Sequence, residues 1–240
     1  MRIQRISAEF RSQASSFGLW SVLRAFAIRA IQRVIDFKVL RAMCITVVVP
    51  GFLELPTGMT ADFLDRETLR RMTAEAKYDL TAEFLDDALA KGDECYAIVD
   101  GAEPAAYGWY AHSPTRMSDG MLVQFDPAYV YMYKGLTLDA YRGRRLHAIG
   151  MTRALAAYRA QGFKGLVSYI ESDNLNSLKS AYRIGYVDFG RVFIIRMWGR
   201  LVTFRTPGCA AFGFGIAPPS RNGDPGRGEA APPDRLSGRT

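Results

Sequence analysis

The sequence predicts an α/β (α+β) protein in which helices flank a mixed, strongly bent β-sheet, preceded by an N-terminal amphipathic helix. Segments of period-two hydrophobic alternation are interleaved with segments of period 3.6, in the order β-α-α-β-β-β-α-β-α-β. Hydrophobic residues make up 49% of the 240-residue chain, ample for a core. Residues 130–158 change from an apolar strand pattern through a polar turn to a helical pattern.

Residues 16–37 have the apolar spacing of an amphipathic helix. Arginines interrupt this segment every four or five residues, so it is not predicted to span a bilayer. Two interpretations stay open. The helix lies on the anionic inner face of a membrane with Trp20 and Phe26 inserted, or it packs on the domain or on a partner subunit.

The formal charge of +7 is unevenly distributed. Residues 1–50 contain eight Lys or Arg against two Asp or Glu, whereas residues 51–220 are neutral. Because nucleic-acid binding depends on many phosphate contacts, the neutral middle of the chain argues against a nucleic-acid partner.

The cysteines are three in number and far apart, at Cys44, Cys95 and Cys209. They form neither a disulfide framework nor a metal-binding spacing, and two histidines cannot build a His-based metal site. We therefore expect a cytoplasmic protein without a metal cofactor.

The elements before residue 130 are predicted from alternation and capping signals. A first strand lies within Val39–Val49 and stops at Pro50-Gly51. Thr60 is predicted to cap one helix and Thr81 to open a second that runs to Ala90. A hairpin (Glu94–Asp100 with Ala105–Tyr110) and a short strand (Met121–Phe125) follow.

The elements after residue 130 are two strands, two helices and a final β-rich pair. They are a strand over Val130–Leu138, a helix from Leu146, a strand over Lys164–Ile170, a further helix, and two strands that turn at Gly199-Arg200. We expect three regions: a basic segment with the amphipathic helix (1–38), an α/β domain (39–206) and a disordered Gly/Pro-rich tail (207–240). The apolar last strands are candidates for pairing between subunits of a homodimer.

A basic, glycine-containing turn follows the 130–138 strand and leads directly into a helix. Such a turn has the features of a phosphate-binding site, because the first N–H groups of a helix have no internal partner and lie at the positive end of the helix dipole. Arginine side chains add charge-assisted hydrogen bonds to the same anion.

The run AYRGRRLHAIGMTRAL resembles the acyl-CoA-binding motif of the GNAT superfamily of N-acetyltransferases, Arg/Gln-x-x-Gly-x-Gly/Ala. Arg142 takes the Arg/Gln place and Gly143 a common second place, whereas Arg145 and His147 replace the usual Gly and Gly/Ala. A non-glycine with positive φ costs about 1 kcal/mol, so a turn of different shape is one expectation and a phosphate contact from Arg145 is another.

A second block resembles the next part of the same superfamily. In ESDNLNSLKSAYRIGY, Asn174, Ser177, Gly185 and Tyr186 fall on the family's Asn, Ser or Ala, and Gly-aromatic places. The resemblance implies that donor-binding residues come from the central strand, the turn and this block. They are Leu136, Thr137, Leu138, Arg142, Gly143, Arg144, Arg145, Leu146, His147, Asn174 and Ser177.

The resemblance implies an acyl-CoA-dependent N-acyltransferase, with acetyl-CoA as donor and a small-molecule or peptide amine as acceptor. Direct attack in a ternary complex is expected, because no Cys/His or Ser/His pairing is visible. Two alternatives stay open. One is long-chain transfer from acyl-CoA or acyl-carrier protein at a membrane surface, and the other is a non-catalytic CoA-binding or interaction module.

The proton-transfer residues are predicted less directly. The family's tyrosine falls on Ala181, so its neighbour Tyr182 is the candidate general acid. Glu171, at the end of a strand, is the best-placed carboxylate for a base. Tyr131 and Tyr133 are candidates for passing protons through water. Packing, solvation or capping accounts equally well for these residues.

Overall fold

The computed structural model describes Trp20, Ala27 and residues 36–117, 120–197 and 200–217. Eleven strands and four α-helices lie within these ranges. The strands are β1 (Asp36–Ile45), β2 (Met59–Phe63), β3 (Glu94–Asp100), β4 (Glu103–Ala111), β5 (Thr115–Arg116), β6 (Leu122–Gln124), β7 (Val130–Thr137), β8 (Leu166–Glu171), β9 (Val187–Met197), β10 (Arg200–Arg205) and β11 (Gly215–Ala217). The helices are α1 (Arg66–Thr73), α2 (Ala82–Ala90), α3 (Leu146–Ala160) and α4 (Leu175–Ile184).

Eight strands form one sheet in the order β10-β9-β1-β8-β7-β4-β3-β2. The central pair, β7 and β8, is parallel, and the other neighbours are antiparallel. A second sheet contains β11, β6 and β5. The predicted mixed sheet flanked by helices is therefore confirmed.

The large sheet is covered on both faces. Helices α3 and α4 pack on one face, over a core that includes Met43, Val130 and Leu166. Helices α1 and α2 cover part of the other face, around Trp109, and the small sheet covers the rest, around Phe214. This layering follows from strand alternation, since successive side chains of β1 point to opposite faces.

One of the two predicted helix caps near the start of the domain is wrong. Thr60 does not cap a helix; it lies in β2, where it pairs with Val99 of β3. The cap is Asp65, whose carboxylate accepts a hydrogen bond of 2.8 Å from the Thr68 N–H at the start of α1. By contrast, Thr81 caps α2 as predicted, accepting from the Phe84 N–H.

The terminal regions also differ from expectation. Of the predicted helix 16–37, Trp20 and Ala27 are helical, Asp36 and Phe37 belong to β1, and the other positions lie outside the described residues. The predicted disordered tail 207–240 is wrong for residues 207–217, because Cys209 and Phe214 are fully buried there. Residues 218–240 lie outside the described part.

The described ranges contain neither a helix long and apolar enough to cross a bilayer nor a metal-binding group of three or more His, Cys, Asp or Glu. The three cysteines are free and buried.

Candidate functional site

The central strands β7 and β8 separate soon after they meet. Their parallel pairing consists of Val130 with Leu166 and Tyr131 with Val167. One further link follows, in which the Ser168 hydroxyl donates to the Met132 carbonyl at 2.8 Å. Strand β7 nevertheless continues to Thr137, paired with β4 on its other side. The last residues of β7 therefore form an open edge that faces away from β4.

Strand alternation decides which main-chain groups point into this opening. The Leu138 N–H donates to the Ala105 carbonyl at 3.0 Å and so points towards β4. Because successive N–H groups of a strand point in opposite directions, the Thr137 N–H faces the open edge and that of Leu136 faces β4. Of the three predicted main-chain contacts, Thr137 has the orientation that a ligand in the opening requires.

The open edge runs directly into the predicted phosphate turn. A single 3-10 turn, Asp139–Tyr141, follows β7, and α3 begins at Leu146. Gly143 has φ 82° and Arg145, the residue before α3, has φ 61°. No side chain caps the first turn of α3. Its N–H groups are thus not occupied by a local side-chain acceptor.

Arg145 adopts the left-handed conformation that the family's glycine is suited to. Arg145 is thus a non-glycine residue held at positive φ. Whether the turn differs in shape from the family's stays a prediction. The conformation costs about 1–2 kcal/mol for a residue with a Cβ. The turn therefore carries three exposed guanidinium groups, those of Arg142, Arg144 and Arg145.

The arginines of the turn are exposed and weakly engaged. Arg142 pairs with Asp139 at 2.7 Å, and both side chains are mostly exposed. The Arg144 guanidinium lies 5.4 Å from the centre of the Tyr141 ring. The Tyr141 hydroxyl donates to Glu103 and to Asp100, which raises the pKa of Tyr141 to about 12. The arginines remain available to an anion, because an exposed ion pair is weak.

His147 occupies the second family glycine place and turns inward. A Cβ built on Gly135 of β7 would lie 2.9 Å from the His147 ring, so strand and ring are in direct contact. Burial lowers the pKa of His147 and favours its neutral imidazole. Together with Leu146, His147 borders a small cavity between α3 and β4 that is also lined by Tyr96, Tyr107 and Gly150.

The second predicted block forms a helix cap. The Asn174 side chain accepts a hydrogen bond of 3.1 Å from the Ser177 N–H at the start of α4. Asn174 is exposed and Ser177 is half-buried. Their predicted donor contacts remain predictions.

Tyr182 and Glu171 both lie towards β1. The Tyr182 hydroxyl accepts from Arg41 at 2.6 Å and donates to Asp188 at 2.9 Å. Those partners belong to β1 and β9, which β8 separates from β7. Glu171 is exposed at the end of β8, opposite Leu40 of β1. The structure does not bring either side chain together with the turn.

Tyr131 lies in a buried aromatic row. Its ring stacks on Tyr133 at 5.9 Å and on Tyr169 at 6.4 Å between centroids, and only 2% of the residue is exposed. Burial raises the pKa of Tyr131 well above its ordinary value. The neighbouring rings leave Tyr131 almost no contact with solvent. A catalytic role for Tyr131 therefore remains a prediction.

Sequence reasoning named Tyr133 as a proton-transfer candidate but missed its neighbours Asp93 and Lys91. Asp93 accepts hydrogen bonds from the Tyr133 hydroxyl at 2.9 Å and from the Lys91 ammonium at 2.8 Å. We call Lys91, Asp93 and Tyr133 the Asp93 cluster. Lys91 and Asp93 follow the end of α2, where the sequence has the pattern of an ordinary polar turn. Tyr133 lies 40 residues after Asp93. No signal in the sequence joins them.

The chain was compared with known proteins. No family model matches it, and the search of curated proteins gave no significant match. Among solved structures, a GNAT-family protein from Novosphingobium aromaticivorans shows 16% identity and a TM-score of 0.47. That alignment covers 66% of this chain and 63% of the other, so this chain spans less than two thirds of that protein.

Two further solved structures show a similar level of likeness. A GCN5-related N-acetyltransferase-like protein from Streptococcus suis shows 17% identity and a TM-score of 0.47, over 70% of this chain and 67% of its own. AAC(6')-Iy in complex with the bisubstrate analog CoA-S-monomethyl-acetylneamine shows 13% identity and a TM-score of 0.41, over 53% and 89%.

Proposed function

We propose that this chain is an acyl-CoA-dependent N-acyltransferase that transfers an acetyl group directly to an amine. The supporting observation is the continuity of two features: the open edge of β7 ends at Thr137, and the arginine-containing turn before α3 begins a few residues later. A ligand with an anionic end and an extended, hydrogen-bonding arm can lie along both.

The turn suits the pyrophosphate end of such a donor. The first N–H groups of α3 point out of the helix, and Arg142, Arg144 and Arg145 are exposed around them. Helix N-termini and guanidinium groups both stabilise phosphate charge. The residues present therefore fit a phosphate-containing donor, with His147 restricting the space beside Gly135.

The open edge suits the thioester end. The Thr137 N–H, directed away from β4, is a donor already oriented for a carbonyl oxygen in the opening. A fixed main-chain donor stabilises the negative charge that develops on that oxygen when the amine attacks, without reorganising. An extended donor arm is held in the same way, as an additional strand bonded to β7.

A non-catalytic CoA-binding role is the second candidate, because α4 does not supply a tyrosine to the opening. Ala181 is buried, and the Tyr182 hydroxyl is held by Arg41 and Asp188. Under this alternative the chain binds CoA and releases no thiol when amines are added.

Thermal melting with acetyl-CoA, CoA and palmitoyl-CoA tests the proposal. A donor at about 100 times its dissociation constant adds roughly 2.7 kcal/mol, a shift of a few degrees. We expect that shift to be largely lost in Arg142→Ala and kept in Arg70→Ala, which removes an exposed arginine from α1. A larger shift with palmitoyl-CoA than with acetyl-CoA would favour long-chain transfer. The absence of any shift would contradict the proposal.

A further inference from the structure

The Asp93 cluster has the composition of a proton-transfer site. The Asp93 side chain is 0% exposed, and its Oδ2 accepts from both the Tyr133 hydroxyl and Lys91. Its Oδ1 is buried and has no hydrogen-bond partner among the described residues. A buried carboxylate with an unsatisfied oxygen is costly, and a catalytic role is one of the explanations for such a group.

The position of Tyr133 connects this cluster to the open edge. Trp109 of β4 pairs with Lys134 and Tyr110 pairs with Met132, so Tyr133 is the extra residue of a β-bulge. The bulge comes two residues after Tyr131, the last β7 residue that pairs with β8. Bulges re-aim side chains, often next to functional sites. Tyr133 therefore lies at the start of the open edge of β7, and it is only half-buried.

We propose that Tyr133 takes the proton of the acceptor amine and passes its own proton to Asp93 in the same step. This inference rests on the proposed acyltransferase function and names a catalytic residue for it. Tyr133 is the group that would contact the acceptor, and Asp93 acts through it as a positioning residue and proton acceptor.

The nitrogen of a neutral amine forms a bond to the thioester carbonyl carbon, and its proton moves to the Tyr133 oxygen while the hydroxyl proton moves to Asp93 Oδ2. The tetrahedral intermediate then breaks its C–S bond, and the thiolate leaves with the electron pair and takes a proton from water. Asp93 returns its proton through Tyr133 to solvent.

The surrounding charges support this assignment. Burial raises the pKa of Asp93, which moves this carboxyl towards the range useful to a base near neutral pH. Lys91 and His112 face Asp93 and oppose the effect of burial, and Tyr131 and Cys95 face Tyr133. Burial also raises the pKa of Tyr133, so its hydroxyl remains a donor in the resting protein.

The test uses the full chain, acetyl-CoA, and three probe amines: an aminoglycoside, a polyamine and a short peptide with a free N-terminus. Thiol release gives kcat and KM from about pH 5 to about pH 9. General-base catalysis contributes about 10²–10⁴-fold, so we expect Tyr133→Phe to lower kcat by at least about 100-fold with little change in the KM for acetyl-CoA. Asp93→Asn should lower kcat similarly and remove the acid limb of the pH profile.

A matched control is Tyr129→Phe, which removes a hydroxyl from another half-buried tyrosine just before β7. We expect its kcat and pH profile to be those of the wild type. Thermal melting with acetyl-CoA is measured separately for each variant. A variant that still folds and binds the donor but has a low kcat has lost the base and not its structure. Wild-type kcat in Tyr133→Phe, or an unchanged acid limb in Asp93→Asn, would overturn the inference while leaving the acyltransferase proposal intact. No thiol release with any amine, despite donor binding, would overturn both.

Discussion

The imidazole of His147 lies against the α-carbon of Gly135, so that a methyl group on Gly135 would come within 2.9 Å of the ring carbon Cε1. The same methyl group would lie 2.9 Å from the terminal carbon of Met132. These contacts join the first turn of α3 to the open part of β7. They explain why glycine is needed on this strand, opposite Gly108 of β4.

We expect Gly135→Ala to destabilise the protein, because the added methyl group overpacks a filled space. Overpacking typically costs about 1–3 kcal/mol. Adding His147→Ala should recover much of that loss, since the ring is one of the two obstructing groups. Thermal melting of the two single variants and the double variant measures the coupling between the positions.

Gly150→Ala is the control for this pair. Gly150 lies within α3, and a Cβ there would meet Ile98 at 3.7 Å, an ordinary contact. The same substitution should therefore stabilise the protein, by about 0.5–1 kcal/mol from helix propensity. Additive effects in the Gly135/His147 double variant would show that the two residues do not share this space.

The turn before α3 allows a separate test of conformation and charge. Arg145→Gly removes a Cβ from a residue at φ 61°, which relieves about 1–2 kcal/mol, whereas the added freedom of the unfolded chain costs about 0.4–1 kcal/mol. We expect a small rise in melting temperature together with weaker binding of acetyl-CoA. Calorimetric titration with acetyl-CoA measures the second effect.

The comparison variant is Arg145→Lys, which keeps the charge and the strained conformation but not the guanidinium geometry. Its stability should stay close to that of the wild type. If Arg145→Gly binds acetyl-CoA as tightly as the wild type does, the Arg145 side chain takes no part in donor binding.

Local signals predicted most of the fold. The Thr81 cap of α2, the β3–β4 hairpin and the start of α3 at Leu146 all depend on residues that are close in sequence. Strand β2 was missed because Thr60 and the acidic residues after it also fit a helix start, and only pairing with Val99 decides between the two. Short β-rich segments are resolved by tertiary contacts.

The candidate site was predictable only where it is contiguous in sequence. The turn at 142–147 could be found from the chain itself, including the unusual Arg145. The direction of Tyr182 depends on Arg41, 141 residues away, and the Asp93–Tyr133 bond joins residues 40 apart. Such long-range pairs leave no trace in periodicity or spacing. The sequence therefore predicts the candidate turn and names Tyr133 as a proton-transfer candidate, but it does not reveal the partner Asp93.

The basic N-terminal segment gives a prediction that does not depend on catalysis. If residues 16–37 lie on an anionic membrane, the full chain should sediment with phosphatidylserine-containing vesicles and not with neutral ones. Each Lys or Arg near such a surface contributes about 1 kcal/mol. Replacing Arg24, Arg29 and Arg33 by Glu should abolish this co-sedimentation.

A triple Arg→Glu change on α1, at Arg66, Arg70 and Arg71, alters the net charge by the same amount and should leave co-sedimentation unchanged. Equal sedimentation of all three proteins with both kinds of vesicle would favour the other interpretation, in which the segment packs on the domain or on a partner subunit.

The buried charge of Asp93 predicts a pH-dependent gain of stability on its removal. Its folded pKa lies above the unfolded value, so the folded protein holds this proton more tightly. Stability from this group is therefore complete below the unfolded pKa and decreases as pH rises through the folded pKa. Asn at this position does not titrate, so the melting temperature of Asp93→Asn relative to the wild type should rise as pH increases from below the unfolded pKa to above the folded one.

Asp65→Asn is the control of opposite sign. The Thr68 N–H lowers the pKa of Asp65, so its contribution is present above the unfolded pKa and is lost as pH falls through the folded one. The Asp65 variant should therefore lose stability relative to the wild type near neutral pH, with a smaller difference in acid.

Two outcomes would contradict the interpretation of Asp93. If the difference in melting temperature between Asp93→Asn and the wild type does not change with pH, folding does not raise the pKa of Asp93. An active variant that is less stable than the wild type at every pH would assign Asp93 a purely structural role, whereas gained stability with lost activity is the pattern expected of a proton-transfer residue.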